Sequence, residues 1–172
     1  EETKIEETKI EETKIEEIDI CHLNVKVSSN NLPLDTIYFA IVRNPYNRFL
    51  SAYNYLIEGG ANNELDLKYK EILKKYKSFE EVLGKLEYLK TRIVHFVPQH
   101  YYICDDKNLI IINKVIRFEN LKNELVELNP IFNDLQHINK SNYDMNFSLT
   151  YENKKLIYEA YKTDFIVFNY PK

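Results

Sequence analysis

The stretch IYFAIVRNPYNRFLSAYNYLI, residues 37–57, decides the fold of this chain. It opens with a near-continuous apolar run over residues 37–42, which is typical of a strand buried on both faces in a parallel sheet covered by helices. Asn44 and Pro45 follow this run. Because Asn is a favoured N-cap and Pro a favoured first helical residue, the stretch predicts a strand that leads directly into a helix.

Arg43 stands between the predicted strand and the predicted helix. Open α/β sheets bind ligands at the carboxyl ends of their strands, and a helix N-terminus at that point offers free N–H groups to an anion. The planar guanidinium of Arg43 can bind phosphate with two hydrogen bonds. Helical spacing places Ser51 two turns into the helix, on the face that also carries Asn44 and Arg48. The sequence therefore predicts an anion site that contains Arg43 and Ser51.

The pattern R-x-P-x-x-R-x-x-S-x-Y, which starts at Arg43, resembles the 3′-phosphate-binding motif of sulfotransferases that use 3′-phosphoadenosine 5′-phosphosulfate (PAPS). The resemblance is strongest to the carbohydrate branch, which includes the heparan and chondroitin enzymes. It implies that Arg43 and Ser51 hold the 3′-phosphate. It also implies a P-loop-NTPase-like α/β fold with a central parallel sheet flanked by helices. Further stretches that resemble the family are Q-x-x-Y at 99–102, R-F-E-x-L at 117–121 and Y-x-x-D-F-x-x-F-x-Y at 161–170.

His22 lies 21 residues before Arg43. In the glycosaminoglycan members of the family a histidine at about this distance is the catalytic base, so the resemblance implies that role for His22. Histidine suits the task because it can accept a proton from a hydroxyl near neutral pH. The alternative is an incidental surface or core histidine. His95, His100 and His137 are weaker candidates, since nothing in the sequence places them near the phosphate site.

The loop that binds the 5′-phosphosulfate in such enzymes, of the type P-K-T-G-[GT]-T-S, has no counterpart in these residues. None of the three glycines lies in a phosphate loop, and the EETKI repeats stand where that loop is expected. We therefore expect the chain to be N-terminally incomplete or a degenerate relative. The alternative to a PAPS-dependent enzyme is thus a non-catalytic sulfotransferase-like binding module. A nucleoside kinase-like domain would require a Walker-type loop, which is also not seen.

The first twenty residues form a segment of their own. Residues 1–15 are three identical copies of EETKI, and residues 16–20 are a degenerate fourth. A five-residue period distributes the isoleucines around all sides of a helix, so no apolar face forms. Nine acidic residues and three lysines give this segment a net charge of −6, whereas the whole chain carries −4. We interpret 1–20 as an acidic arm, disordered or partly helical, and 21–172 as the sulfotransferase-like α/β domain.

Composition excludes several other classes of protein. The 172 residues suffice for one domain, and no apolar segment approaches the roughly 20 residues that span a bilayer. Two cysteines are too few for a disulfide framework, and neither they nor the four histidines show metal-ligand spacing.

The expected partners are the co-substrate PAPS and a carbohydrate acceptor, with no metal and no nucleic acid. The cations Lys85, Lys90 and Arg92 could face an anionic polysaccharide. The sequence does not decide the cellular location. A eukaryotic family member whose N-terminal membrane anchor is missing from these residues would lie in the Golgi, and otherwise the cytoplasm is expected.

Local signals predict the remaining elements. Gly59 is expected to end the first helix, and Ser78 with Glu81 forms a capping box that opens another. Thr150 is expected to cap a late helix. The other predicted elements are helices at 66–76, 88–96, 119–128 and 151–161, a strand at 114–118, a loop at 139–148 and an extended segment at 165–167.

Overall fold

The computed structural model describes residues 37–134 and 149–172. The elements of this part are listed in chain order. They are β1 (Phe39–Val42), α1 (Pro45–Glu58), α2 (Glu64–Leu73), α3 (Phe79–Gly84), α4 (Leu86–Leu89), a 3-10 turn (Val94–Phe96), α5 (His100–Ile103), β2 (Lys114–Arg117), a 3-10 turn (Phe118–Asn120), α6 (Leu121–Leu128), a 3-10 turn (Pro130–Asp134), α7 (Tyr151–Ala160) and α8 (Lys162–Val167).

The two strands pair in parallel, in a register that runs from Phe39 opposite Lys114 to Val42 opposite Arg117. Helices α1 to α5 lie between them in sequence, which confirms an α/β fold with a parallel sheet and flanking helices. The predicted burial of β1 on both faces is not found in the described residues. Val42 is 1% exposed and belongs to the core, whereas Ile41 on the opposite face is 46% exposed. Successive side chains of a strand point to opposite faces, and the described core lies on the Val42 side.

Helix α1 begins and ends where the sequence predicts. Asn44 is the N-cap, with its side-chain oxygen accepting a hydrogen bond from the Tyr46 N–H at 3.0 Å, and Pro45 is the first helical residue. Gly59 ends the helix in the left-handed region at φ 107°, and its N–H donates to the Leu56 carbonyl at 3.0 Å. Gly tolerates this conformation because it has no Cβ.

The core is built around α1. Phe49 is almost fully buried, and its ring lies 5.0 Å from that of Phe96, 6.0 Å from that of Phe79 and 6.4 Å from that of Tyr161. These rings belong to three other segments of the chain, so α1 is the common packing surface of the helices. Aromatic clusters at such distances contribute beyond the area they bury.

Two predicted elements are wrong. The helix expected at 88–96 is divided into α4 and a 3-10 turn, because Ile93 is extended and the His95 carbonyl accepts from the Arg48 side chain of α1. The segment 165–167 was expected to be extended but belongs to helix α8. Its aromatic and β-branched residues favour strands in isolation, yet burial of Phe165 in the core decides otherwise.

The remaining local predictions are confirmed where the structure describes them. Ser78 Oγ accepts from the Glu81 N–H at 3.3 Å, and Thr150 Oγ1 accepts from the Asn153 N–H at 3.2 Å. Cys104 is buried with a free thiol. The arm at 1–20, the segment around Cys21 and the predicted loop at 139–148 lie outside the described residues.

Candidate functional site

The candidate site lies where β1 ends and α1 begins. Val42 is the last residue of the strand, and only Arg43 and Asn44 separate it from Pro45. The side chain of Asn44 caps the helix, so the first turn of α1 is fixed directly beyond the sheet. A strand end next to a helix N-terminus is a favourable place for an anion, as the sequence predicts.

Arg43 is half-buried, and its guanidinium carbon lies 4.6 Å from the centroid of the Phe118 ring. Burial lowers the pKa of Arg43 from its ordinary value, and the nearby Glu119 and Tyr170 act in the opposite direction. Arginine nevertheless stays charged at neutral pH. Across residues 37–134 and 149–172, the guanidinium has no hydrogen-bond or ion-pair partner. Its donors are therefore available to an anionic ligand.

Ser51 is the other residue predicted to bind the anion. It lies in α1, half-buried, six residues after Pro45 and so about 9 Å further along the helix axis. Its hydroxyl makes no hydrogen bond to another residue in the part of the chain that the structure describes. The structure thus places Arg43 and Ser51 on one continuous strand–helix segment.

Arg48 does not belong to the ligand-binding surface that helical spacing suggests. Its two terminal nitrogens donate to the carbonyls of His95 and Val97, at 3.0 and 2.9 Å. Its guanidinium carbon also lies 5.1 Å from the centroid of the Tyr161 ring. Arg48 therefore joins α1 to the turn at 94–97 and has a structural role.

Glu119 places a carboxylate at the N-terminus of α1. Its Oε1 accepts from the Asn44 N–H at 2.7 Å, and its Oε2 accepts from the Tyr170 hydroxyl at 2.9 Å. Burial first, and then this hydrogen bond, raise the pKa of Tyr170 well above its usual value. Tyr170 therefore stays protonated and donates to Glu119. The carboxylate partly offsets the positive charge of the neighbouring Arg43.

Gln99 contacts the backbone of Arg43 directly. Its Oε1 accepts from the Arg43 N–H at 2.8 Å, and its Nε2 donates to the Arg43 carbonyl at 2.9 Å. The backbone N–H of Gln99 in turn donates to Asp164 at 2.8 Å. Gln99, Glu119 and Asp164 are not among the site residues that the sequence predicts. The available signal was a polar residue inside each of the three stretches that resemble the family.

Two of the four histidines lie within the residues that the structure describes. His22, the candidate base, and His137 lie outside the described residues. His95 lies beside Asp66, with Nε2 to Oδ1 at 3.8 Å, and its carbonyl accepts from Arg48. His100 is buried, and its Nδ1 lies 2.6 Å from Asp164 Oδ1. The segment that carries these two histidines packs beside the predicted site through Gln99, which bonds the Arg43 backbone, and the sequence did not indicate this.

The three cations suggested for a polysaccharide have different surroundings. Lys90 is 17% exposed and bonds Glu87 and the Ala160 carbonyl, so it stabilises the packing of α4 on α7. Arg92 is exposed and stacks on the Tyr88 ring at 5.1 Å, and Lys85 is exposed. Only Lys85 and Arg92 are placed to meet a ligand in solution.

Comparisons with known proteins give a family. A family model described as "Sulfotransferase family" matches residues 4–171. A comparison with curated proteins and one with solved structures found no significant match. Within the described residues, no helix has the length and apolar character needed to cross a membrane.

Proposed function

Because the chain belongs to the sulfotransferase family, we propose that it transfers a sulfuryl group from PAPS to a hydroxyl of a carbohydrate acceptor. In this proposal Arg43 and Ser51 bind the 3′-phosphate of PAPS, and His22 is the catalytic base. The family match supports sulfuryl transfer in general. The carbohydrate acceptor and the role of His22 rest on the motif resemblance alone. The roles of Arg43 and Ser51 rest on that resemblance and are supported by the geometry at the end of β1.

The observation that carries the proposal is the state of the Arg43 side chain. A half-buried guanidinium stacks on Phe118, at the end of a parallel strand and beside a helix N-terminus, with its donors unused by the described residues. Such a group interacts more strongly with a phosphate than an exposed one, because partial burial reduces screening by water. The Ser51 hydroxyl, almost two turns into the same helix, adds a neutral donor.

The proposed reaction is an in-line displacement at sulfur. His22 accepts the proton of the acceptor hydroxyl, and the oxygen forms a bond to the sulfur. The bond between sulfur and the phosphate oxygen of PAPS breaks, and 3′-phosphoadenosine 5′-phosphate (3′,5′-ADP) leaves with the electron pair. The contribution of Arg43 and Ser51 is to hold the donor in position, which alone can supply a large part of a rate enhancement.

Binding of 3′,5′-ADP, measured by isothermal titration calorimetry, tests the anchoring role. Arg43→Ala should weaken binding by about 10- to 100-fold, the range for a charge-assisted hydrogen-bonded pair. Ser51→Ala should weaken it by about three- to tenfold. Neither change should alter the weaker binding of 5′-AMP, which lacks the 3′-phosphate. Arg92→Ala is the matched control, since Arg92 also stacks on an aromatic ring but lies outside the site. Unchanged 3′,5′-ADP affinity in Arg43→Ala would refute the proposal that Arg43 binds the 3′-phosphate.

A second candidate function is a sulfotransferase-like module that binds the nucleotide without turnover. It is favoured by the lack of a P-K-T-G-type loop in these 172 residues. The enzyme and the binding module are distinguished by the release of 3′,5′-ADP from PAPS. This release is measured by mass spectrometry in the presence of a panel of neutral and anionic saccharides. Release that needs both an acceptor and His22 supports the enzyme. Tight nucleotide binding without release supports the module.

A further inference from the structure

The side-chain amide of Gln99 holds both polar backbone groups of Arg43. The two hydrogen bonds, 2.8 Å to the Arg43 N–H and 2.9 Å to its carbonyl, join residues 56 positions apart in sequence. Arg43 is the first residue after β1, so the strand ladder, which ends at Val42 opposite Arg117, does not hold it. The amide of Gln99 makes the two backbone hydrogen bonds that a neighbouring strand would otherwise make with Arg43. It thereby fixes the backbone that carries the Arg43 side chain.

Gln99 is itself fixed by a buried acid. Asp164 is 0% exposed, and its two carboxylate oxygens accept from the backbone N–H groups of Gln99 and His100 at 2.8 and 2.9 Å. The Nδ1 of His100 lies 2.6 Å from the same carboxylate. A buried carboxylate with three partners is well satisfied and resists movement, whereas an unpaired one is costly. Hydrogen bonds therefore connect Asp164 to Gln99, and Gln99 to Arg43.

We propose that Gln99 is a positioning residue of the anion site, which Asp164 holds in place, and that it orients Arg43 toward the 3′-phosphate. This rests on the proposed function. The Arg43 side chain is then set from two sides, by the Phe118 ring at its guanidinium and by Gln99 at its backbone. Hydrogen bonds to phosphate depend strongly on direction, so a backbone that is free to turn at Arg43 would spend less time in the binding geometry.

The chain offers a matched control at the other end of β1. Asn113 Oδ1 accepts from the Tyr38 N–H at 2.8 Å, so it too is a side-chain amide bonded to the backbone beside β1. Tyr38 precedes the strand, whereas Arg43 follows it. Loss of the Asn113 contact should cost some stability without any effect at the anion site. A general structural role for Gln99 would make the two variants behave alike.

The test compares Gln99→Met, which keeps the side-chain length but cannot make these hydrogen bonds, with Asn113→Ala. Affinity for 3′,5′-ADP should fall about tenfold or more in Gln99→Met and stay within twofold of the parent protein in Asn113→Ala. Hydrogen exchange of the Asn44 amide, whose acceptor is Glu119, should be faster only in Gln99→Met. If Gln99→Met does not fold by its thermal unfolding curve, Gln99→Asn replaces it, since the shorter amide cannot reach both groups.

Two results would overturn the proposal. One is nucleotide affinity in Gln99→Met equal to that of the parent while Arg43→Ala abolishes binding. The other is equal exchange of the Asn44 amide in Gln99→Met and Asn113→Ala. A parent protein that binds no 3′,5′-ADP would refute the proposed function, and the Asn44 exchange rate would then test whether Gln99 positions the Arg43 backbone. Faster exchange in Gln99→Met than in Asn113→Ala supports it, and equal rates refute it.

Discussion

The carboxylate of Glu119 accepts a hydrogen bond from the backbone N–H of Asn44 at 2.7 Å, so a negative charge lies at the N-terminus of α1. The same carboxylate acts on the neighbouring Arg43, where it opposes the lowering of the pKa by burial. A phosphate that binds Arg43 therefore meets a carboxylate that is already there. The charge of the site is a balance between these two groups.

Glu119→Gln should bind 3′,5′-ADP about three- to tenfold more tightly than the parent protein, because it removes a negative charge beside the phosphate. The amide oxygen still accepts from the Asn44 N–H, whereas the amide NH2 donates to the Tyr170 hydroxyl, which becomes the acceptor. The gain should shrink at high salt. Calorimetric titration at two ionic strengths measures both effects. Glu124→Gln is the control, since Glu124 accepts from the Arg117 N–H at 3.1 Å in an analogous way. Weaker binding in Glu119→Gln would show that the carboxylate supports the anion site.

Arg48→Lys should lower the free energy of unfolding by about 2–3 kcal/mol, although it conserves the charge. Lysine cannot donate to the carbonyls of His95 and Val97 with a planar fork, and it loses the stacking on Tyr161. Chemical denaturation measures the change. Arg92→Lys, which affects an exposed stack on Tyr88, should change stability by less than about 0.5 kcal/mol. Equal effects of the two substitutions would contradict the structural role of Arg48.

Gly60→Ala should destabilise the protein by about 2 kcal/mol or more, because Gly60 has φ 59° and an added Cβ would lie 2.7 Å from Tyr55 Cε1 and 2.6 Å from Asp66 Cγ. Gly84→Ala is the matched control. An added Cβ at Gly84 meets nothing within 4 Å, and in helix α3 alanine should stabilise by roughly 0.5–1 kcal/mol. Thermal or chemical unfolding of both variants measures these effects. The two substitutions should thus change stability in opposite directions, and a shared direction would be evidence against this loop geometry.

Asp66 should make the stability of the protein depend on pH in the acid range. Burial by itself would raise the pKa of Asp66, but hydrogen bonds from the Ala61 N–H, the Tyr55 hydroxyl and Asn63 outweigh it, and the pKa lies below the ordinary value of 3.8. A lowered carboxyl pKa stabilises the folded state above the unfolded pKa, and this stabilisation is lost as pH falls through the folded pKa. The stabilisation from Asp66 is therefore complete near neutral pH, begins to be lost as the pH approaches the ordinary value of 3.8, and is gone only below the lowered pKa of the folded state.

Unfolding curves between pH 7 and pH 2 test this dependence. Asp66→Asn should be less stable than the parent protein at neutral pH, and the difference should narrow in acid. Tyr55→Phe removes one of the donors and should show an intermediate acid-dependent loss. A constant difference between parent and Asp66→Asn across this range would mean that Asp66 does not carry the dependence.

The sequence predicted those features whose partners lie within a few residues. Asn44 caps a helix through Tyr46, and Gly59 ends that helix through Leu56. Such signals depend on local geometry alone. A parallel sheet was also predicted, from the apolar run that forms β1, but its pairing with β2 was not. Arg43 and Ser51 were located by the same stretch, and their roles stay predictions until ligand binding is measured.

The remaining features depend on partners distant in sequence, for which periodicity gives no information. Helical spacing placed Arg48 on a face with Ser51, but only the fold shows that its donors are bonded to carbonyls at 95 and 97. The wrong prediction at 165–167 has a similar cause, since Phe165 packs in a core made by other segments. The contact between Gln99 and Arg43 needs two segments 56 residues apart to meet.

Binding at the proposed anion site should also report on folding. The site is formed by residues 43, 99, 119, 164 and 170, whose contacts join positions 51 to 75 residues apart in sequence. A peptide with the strand–helix motif alone would contain the motif residues, but its Arg43 guanidinium would not be held in one orientation. A ligand that binds only the assembled site stabilises the entire domain, not only its first helix. Nucleotide affinity should accordingly disappear in the same cooperative transition as the aromatic core, and a denaturant titration followed by both signals should give one midpoint.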